Sequence, residues 1–140
     1  MEKVWNELVL SARKRIDTQK IDPFIEYGHI ACSILTNQNH IYTAINIKSN
    51  TEINSSAEKN AISMMLNNGE KIIKKMVIVN ELEEIIKPSE ECFDYLLELG
   101  EEFGDIEVLM DEKKGTIKQL KDILPDWWGT YRIKVSDVKW

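Results

Sequence analysis

Two segments rich in β-branched and aliphatic residues lie close together in the first half of the chain, with a short polar segment between them. The first spans residues 27–36, the second spans residues 41–47, and residues 37–39 read Asn-Gln-Asn. β-Branched and aromatic residues favour strands, whereas short polar residues are typical of turns. The pattern predicts a β-hairpin, so the fold must contain a sheet with at least one antiparallel strand pair.

Helical and strand-like segments alternate on either side of this hairpin. Apolar residues recur at intervals of three and four from Trp5 to Ala12 and predict an amphipathic helix over residues 2–16. The same reasoning predicts five further elements: a helix over 57–66, a strand over 76–79, a helix over 88–100, a strand over 106–110 and a last helix over 116–123. A hairpin followed by alternating helices and strands implies an α/β fold with a mixed sheet and helices on both faces.

The size and composition of the chain fit one globular domain. Its 140 residues can bury a substantial core, and 43% of them are hydrophobic while 30% are charged. The sequence contains no apolar run of the roughly 18 residues that a membrane-spanning helix needs. The first residues also lack the apolar stretch of a secretory signal. We therefore predict a single domain over residues 1–140, without a membrane partner and in the cytoplasm.

The charges and the metal-binding residue types argue against two further classes of function. The net charge is −6 and the basic residues are dispersed, so nucleic acid is not a predicted partner. The two cysteines, Cys32 and Cys92, are too few for a disulfide scaffold. His29 and Cys32 fall in a predicted strand and His40 in a turn, a spacing that does not match a four-ligand structural zinc site.

Two predicted helix starts carry the polar residues of greatest interest. The first reads Ser55-Ser56-Ala57-Glu58, and the second reads Pro88-Ser89-Glu90-Glu91-Cys92. Both follow strand-like or loop segments, so their backbone N–H groups are expected to point into a shared space at one end of the sheet. The structural alternative is helix capping, with Ser55 and Glu58 as a capping box and Ser89 as an N-cap. Glu58 fits either a capping box or a polar pocket that binds a base.

The order and spacing of these motifs resemble the cytidine deaminase family, which includes blasticidin-S deaminases. Family members open one helix with Cys-Ala-Glu or His-Ala-Glu and the other with Pro-Cys-x-x-Cys. This chain has Ser56-Ala57-Glu58 and Pro88-Ser89-Glu90-Glu91-Cys92 at those places, and similar text at 28–35, 41–47, 57–62, 68–70 and 124–128. The resemblance runs from about residue 4 to residue 129. It implies a three-layer α/β/α fold with a mixed sheet of four to five strands.

The resemblance also implies roles for individual residues. Ser56, Ser89 and Cys92 occupy the positions of the zinc ligands, and Glu58 occupies that of the catalytic proton shuttle. Asn46 and Ala57 occupy substrate-binding positions. The implied activity is hydrolytic deamination of cytidine to uridine, and the implied assembly is a homo-oligomer, a tetramer or a dimer.

The sequence departs from the family pattern at the metal. Two of three expected ligands are the serines Ser56 and Ser89, and a neutral hydroxyl is a poor zinc ligand. Without zinc, a water molecule keeps its high bulk pKa instead of the pKa of about 7 that a bound metal gives it, so no hydroxide is available for attack. We therefore expect no cofactor, or zinc only if the site is retained in some form. In addition, Lys48 stands where the Asn-x-Glu motif of nucleoside deaminases has its acid, and Phe93 stands where the family usually has Arg.

Three hypotheses about function remain open. The first is a catalytically degenerate relative of cytidine deaminase that still binds a pyrimidine nucleoside or nucleobase. The second is an active cytidine deaminase with an atypical site, in which Cys92 and Glu58 supply ligands. The third is a non-enzymatic interaction or regulatory protein that uses the same fold as a scaffold.

Overall fold

A computed structural model describes residues 2–17, 19–22, 24–49, 55–89, 92, 95–96 and 98–123. The elements are α1 (Lys3–Arg15), β1 (Gln19–Asp22), β2 (Ile25–Thr36), β3 (Ile41–Ser49), α2 (Ala57–Asn67), β4 (Ile73–Val79), β5 (Ile85–Ile86), a 3-10 helix (Glu101–Asp105), β6 (Glu107–Asp111), β7 (Thr116–Gln119) and α3 (Leu120–Ile123). Helical residues also occur at Cys92, Tyr95, Leu96 and Glu98, within the helix predicted over 88–100. The predicted hairpin is confirmed as β2 and β3, which pair antiparallel.

The strands form one mixed sheet of seven members. β2 pairs antiparallel with β3 on one side, and with β4 and the short β1 on the other. β4 continues the sheet through a parallel pairing with β6, and β7 follows antiparallel to β6. The mixed character of the sheet is as predicted. The predicted count of four to five strands omitted β1, β5 and β7, which are short and lack a strong local pattern.

Side chains alternate between the two faces of the sheet and create two separate cores. On one face, Ala31 and Leu35 of β2 and Val77 and Val79 of β4 pack with the buried side of α1. On the other, the intervening residues pack with α2 and with the helical residues around Cys92; they are Cys32, Ile34, Met76 and Ile78. Because strand side chains point alternately to opposite faces, both faces must be covered. The predicted three-layer α/β/α arrangement is confirmed.

One predicted element is wrong. Residues 116–119 form the strand β7 rather than the start of a helix, and helix occurs over Leu120–Ile123. β7 pairs with β6 across a tight turn in which Gly115 has a positive φ of 64°. Such a turn returns the chain alongside β6, so backbone pairing with the neighbouring strand outweighs the weak helical pattern.

Some sequence predictions concern residues that the structure does not describe. Residues 124–128, which carry part of the family resemblance, lie outside the described residues. For the same reason, the single domain over residues 1–140 stays a prediction. Among the described residues, no helix is both long enough and apolar enough to span a membrane.

Candidate functional site

An irregularity in β2 opens space at one end of the sheet. The pairing of β2 with β3 shifts between Tyr27 and Ala31, so the residues between them bulge out of the ladder. Gly28 has a φ of 86°, and a Cβ on it would lie 2.2 Å from the carbonyl oxygen of Asp17. Only glycine fits this close approach. The bulge frees the backbone N–H of Ile30 from strand pairing. This N–H donates a hydrogen bond to Asn46 Oδ1, with a nitrogen–oxygen distance of 2.9 Å.

The start of α2 is anchored to β3 beside this bulge. Ser55 and Ile47 exchange two backbone hydrogen bonds, of 2.9 and 3.0 Å. One helical turn later, Asn60 Nδ2 donates to the carbonyl oxygen of Ile45 at 2.8 Å. These contacts fix the first turn of α2 against the sheet, so the side chains that precede and open the helix face the bulge.

Ser56 is the N-cap of α2. Its Oγ accepts the N–H of Lys59 at 3.1 Å, the contact that satisfies an otherwise unpaired donor in the first turn. Ser56 therefore has a structural role as the cap of this helix. The capping box predicted for Ser55 and Glu58 is wrong, because Ser55 is bonded to β3 and the cap lies one residue later.

The carboxylate of Glu58 is the buried centre of the site. The residue is 5% exposed, and its carboxylate accepts hydrogen bonds from the Ser89 hydroxyl, the Cys92 thiol and its own backbone N–H. Burial raises the pKa of Glu58, and these three hydrogen bonds oppose that rise. The two helix starts predicted to converge are thus joined through one carboxylate.

Both cysteines are enclosed below this carboxylate. Cys92 is 4% exposed, and burial together with the neighbouring Glu58 raises the pKa of its thiol. Cys32 is fully buried in the core on the α2 side, and burial raises its thiol pKa as well. A buried thiol with a raised pKa is a poor nucleophile and a poor source of thiolate. Cys32 is therefore a core residue rather than a reactive one.

A cavity of about 390 Å³ opens above Glu58. This volume falls within the range of about 300–1,000 Å³ that is usual for small-molecule sites. The lining residues are Ile30, Asn46, Ile47, Lys48, Ser49, Ser55, Ser56, Ala57, Glu58, Ile86, Lys87 and Ser89. Asn46, Ala57 and Glu58 are buried and form the floor, whereas Lys48, Lys87 and Ser89 are exposed and form the rim.

The cavity brings together most of the residues that the sequence singled out. Among these, Asn46, Ser56, Ala57, Glu58 and Ser89 contribute to its wall. Cys92 does not line the cavity and instead contacts Glu58 from behind. Lys87 was missed by the sequence analysis. Its position directly before Pro88, at the second helix start, was the available signal.

The residues at the three ligand positions do not fit the zinc ion that the family resemblance implies. Ser56 Oγ is occupied as a helix cap and the Ser89 hydroxyl contacts Glu58, while the raised pKa of Cys92 disfavours the thiolate that binds metal. Across the part of the chain that the structure describes, no three His, Cys, Asp or Glu side chains are grouped to hold a metal ion.

The two histidines lie at other places. His29 contacts Glu26 and Glu81, with nitrogen–oxygen distances of 3.2 and 3.1 Å. His40 contacts Glu70 at 3.0 Å, at the hairpin turn. Neither histidine lines the cavity, so neither supplies it with a general base.

The structure is similar to solved cytidine deaminases, although no protein-family model and no curated protein matches the sequence. The enzyme from Mycobacterium leprae is 17% identical with a TM-score of 0.70, over 89% of this chain and 99% of that one. The enzyme from Mycobacterium tuberculosis is 19% identical with a TM-score of 0.70, over 89% and 97%. The enzyme from Burkholderia pseudomallei is 20% identical with a TM-score of 0.67, over 90% and 98%. At these identities the similarity shows a shared fold, and the predicted fold is confirmed.

Proposed function

We propose that this chain, which has the fold of cytidine deaminases, is a catalytically degenerate deaminase-like protein that binds a pyrimidine nucleoside or nucleobase without zinc. The observation that carries the proposal is the buried carboxylate of Glu58, which lies on the floor of a ligand-sized cavity between two hydroxyl-bearing helix starts. A buried carboxylate is unfavourable for folding unless it is well bonded, so its position suggests a use in binding.

The floor of the cavity offers the hydrogen-bonding groups that a pyrimidine base needs. A pyrimidine presents amino, ring-nitrogen and carbonyl groups along one edge. Glu58 accepts hydrogen bonds when ionised and donates one when protonated, and burial shifts its pKa upward. The Oδ1 of Asn46 is used by Ile30, which leaves its NH₂ group to donate to a ligand. The apolar side chains of Ile30 and Ile86 provide surfaces beside the base.

The same residues account for a loss of hydrolytic deamination. Attack on a pyrimidine ring requires a hydroxide, and zinc-bound water supplies it in the deaminases that the sequence resembles. Here two hydroxyls and a protonated thiol replace the donors that hold zinc. Glu58 alone does not lower the pKa of water by the many units that a metal provides.

We further propose that the protein assembles as a homo-oligomer, a tetramer or a dimer. Exposed apolar side chains support this proposal; Ile47, Met64, Leu66, Ile72 and Leu82 are each more than two-fifths exposed. Ile47 also lines the cavity, so a neighbouring subunit packed there would help to close the site. Sedimentation velocity of the purified protein tests this proposal, and a monomer at micromolar concentration contradicts it.

Zinc analysis and ligand-induced stabilisation test the proposed function. Protein purified from zinc-supplemented medium should contain much less than one zinc per chain by mass spectrometry. Cytidine and uridine should raise Tm, by an amount that corresponds to about 2.7 kcal/mol at 100 times Kd. The Glu58→Ala variant should lose this response, whereas Glu84→Gln, at an exposed site outside the cavity, should keep it.

The other two hypotheses make different predictions for the same measurements. One tightly bound zinc per chain together with chelator-sensitive conversion of cytidine to uridine would establish an active enzyme and overturn the proposal. Absence of any pyrimidine-dependent stabilisation, in a protein that is folded and free of zinc, would leave the fold as a scaffold for protein interactions.

A further inference from the structure

Two lysines stand on the rim of the cavity. Lys48 is the penultimate residue of β3, and Lys87 directly follows β5. Both side chains are exposed and both line the cavity. Within the described part of the chain, neither lysine forms a salt bridge; the lysines that do are Lys75 and Lys121. The rim therefore carries two cations, although the whole chain has a net charge of −6.

Glu26 shares the β2–β3 ladder with Lys48, Glu58 shares the cavity wall with both lysines, and each carboxylate contacts other groups. Glu26 lies opposite Lys48 in the β2–β3 ladder, but its Oε2 contacts His29 Nε2 at 3.2 Å. Glu58 is the acidic residue of the cavity wall, and it lies on the buried floor bonded to Ser89 and Cys92. Among the described residues that line the cavity, no carboxylate forms an ion pair with Lys48 or Lys87 at the rim.

Three backbone N–H groups in the first turn of α2 are already engaged within the helix start. The N–H of Lys59 is bonded to Ser56 Oγ, and that of Glu58 is bonded to its own carboxylate. The N–H of Asn60 is bonded to the carbonyl oxygen of Ser56. The cationic groups that the cavity offers to an anion are the lysine side chains on the rim, with the Ser89 hydroxyl beside them.

We infer that the ligand of this cavity is a phosphorylated pyrimidine nucleoside, with its base on the floor at Glu58 and its phosphate between Lys48 and Lys87. The inference rests on the proposed function and narrows its ligand class. A neutral nucleoside gives the two lysines nothing to pair with, whereas a phosphate ester supplies oxygens that accept charge-assisted hydrogen bonds from ammonium groups. Recognition of both the base and the phosphate then selects nucleotides over free phosphate.

Calorimetric titration of the full-length protein tests this inference with four probes: cytidine, cytidine 5′-monophosphate, cytidine 3′-monophosphate and inorganic phosphate. At least one monophosphate should bind about ten-fold tighter than cytidine in 50 mM salt, as expected for one added charge-assisted contact. The advantage should shrink in about 1 M salt, where the screening length falls to about 3 Å. Lys48→Gln and Lys87→Gln should each reduce the affinity advantage of the monophosphate over cytidine. Lys118→Gln changes an exposed lysine on β7, outside the cavity, and is the matched control that should leave this advantage unchanged.

The outcomes separate this inference from the proposed function. If cytidine binds as tightly as both monophosphates, the phosphate site is wrong and the pyrimidine pocket stands. If inorganic phosphate binds as tightly as the nucleotides, there is no base recognition and both proposals fail. If no probe binds to protein shown to be folded by circular dichroism, both proposals also fail. An affinity advantage that survives in the two rim variants contradicts the assignment to Lys48 and Lys87.

Discussion

The thiol of Cys92 donates a hydrogen bond to the buried carboxylate of Glu58 and so connects two helical segments across the floor of the cavity. The carboxylate of Glu58 makes the thiol of Cys92 harder to ionise, because it raises the thiol pKa. The hydrogen bond from the thiol in turn makes the carboxylate easier to ionise, because it lowers the pKa of Glu58. Burial dominates both, and it raises the pKa of each group. The site is therefore a stable arrangement only while the thiol keeps its proton.

The first prediction concerns the cost of keeping an acid at this position. Glu58→Gln should raise Tm at neutral pH, because the folded-state pKa of Glu58 lies above its ordinary value of 4.5. For an acid with a raised pKa, stability falls as pH rises above the unfolded value and levels off above the folded one. The gain in Tm should consequently be small near pH 4.5 and should grow towards neutral pH. Thermal denaturation from pH 4.5 to 8 measures it.

The control for this experiment is Glu84→Gln, which changes an exposed carboxylate on the turn between β4 and β5. It should leave the pH dependence of Tm unchanged. If Glu58→Gln lowers Tm at neutral pH, the hydrogen bonds to the carboxylate outweigh its desolvation, and the direction of the pKa shift is wrong. A gain in stability together with weaker pyrimidine binding would identify Glu58 as a residue retained for function.

The second prediction concerns a different buried carboxylate, at the far end of the hairpin. Glu70 accepts hydrogen bonds from Thr36 Oγ1 at 2.5 Å, from His40 Nδ1 at 3.0 Å and from the hydroxyl of Tyr42. These hydrogen bonds lower the pKa of Glu70. An acid whose folded-state pKa is lowered contributes stability at pH values above its unfolded pKa, near 4.5. That stability is lost as pH falls through the folded-state pKa. Tyr42→Phe should therefore destabilise the protein most at neutral pH.

Urea denaturation at several pH values checks this prediction. The difference in free energy of unfolding between wild type and Tyr42→Phe should shrink as pH falls below about 4. Tyr27→Phe changes a tyrosine outside this cluster and serves as the matched control. A difference that stays constant from pH 3 to pH 7 would show that the Tyr42 hydroxyl contributes to stability independently of the charge on Glu70.

The third prediction concerns the link between α1 and two turns of the sheet. The Arg13 guanidinium donates to both oxygens of Glu112, at 3.0 and 2.6 Å, and twice to the carbonyl oxygen of Glu83. Glu83 has a positive φ of 63°, so this contact also holds a turn conformation that a non-glycine residue rarely adopts. Arg13→Lys keeps the positive charge but loses the planar guanidinium, which donates to both partners at once. The substitution should lower the free energy of unfolding by about 1–2 kcal/mol.

Lys121 provides the comparison, because it forms a single contact of 3.1 Å with Asp105 and both side chains are exposed. Lys121→Ala should change the free energy of unfolding by less than about 1 kcal/mol. Equal effects of the two substitutions in urea denaturation would mean that the Arg13 contacts act only as a surface ion pair.

The fold was predictable from sequence where local pattern and tertiary packing agree. The hairpin and the helix α1 follow from residue type and period. In the strand β2, for example, the consecutive residues Ala31 and Cys32 pack on opposite faces of the sheet. β7 was not predictable, because its strand character depends on pairing with β6. Local patterns also do not identify contacts between distant residues. Ser55-x-x-Glu58 matches a capping box in sequence, yet Glu58 turns towards Cys92.

The candidate site was predictable in part for the same reason. Motif order brought Ser56, Glu58 and Ser89 to attention, and all three line the cavity. Lys87 belongs to no motif, and its place on the rim depends on how β5 pairs with β4. A rim is assembled from segments that are remote in sequence, so its charge becomes apparent only when the sheet is formed.

The fourth prediction concerns thiol reactivity. Cys32 and Cys92 are 0% and 4% exposed, and burial raises the pKa of both thiols. Since the thiolate is the reactive form, a disulfide reagent such as DTNB should label the native protein very slowly at pH 8. In denaturant it should label two thiols per chain, the number in the sequence. Rapid labelling of one thiol in the native state would contradict the burial of Cys92, and Cys92→Ser would identify it.

The final prediction concerns restoration of a metal site. Replacing Ser56 and Ser89 together by cysteine would give three thiol positions around Glu58, and three cysteines are a ligand set that zinc accepts. Zinc binding releases protons from thiols, so the metal would overcome the raised pKa of Cys92. The double variant, purified with zinc, should retain about one metal ion per chain and show a higher Tm that chelator reverses.

Ser56→Cys or Ser89→Cys alone provides fewer ligands and should retain much less zinc. Ser63→Cys, on the exposed side of α2, adds a thiol away from the cavity and is the control. If the double variant binds no more zinc than Ser63→Cys, the three positions do not converge on one point, and the degeneration of the site extends beyond the two serines to the backbone that carries them.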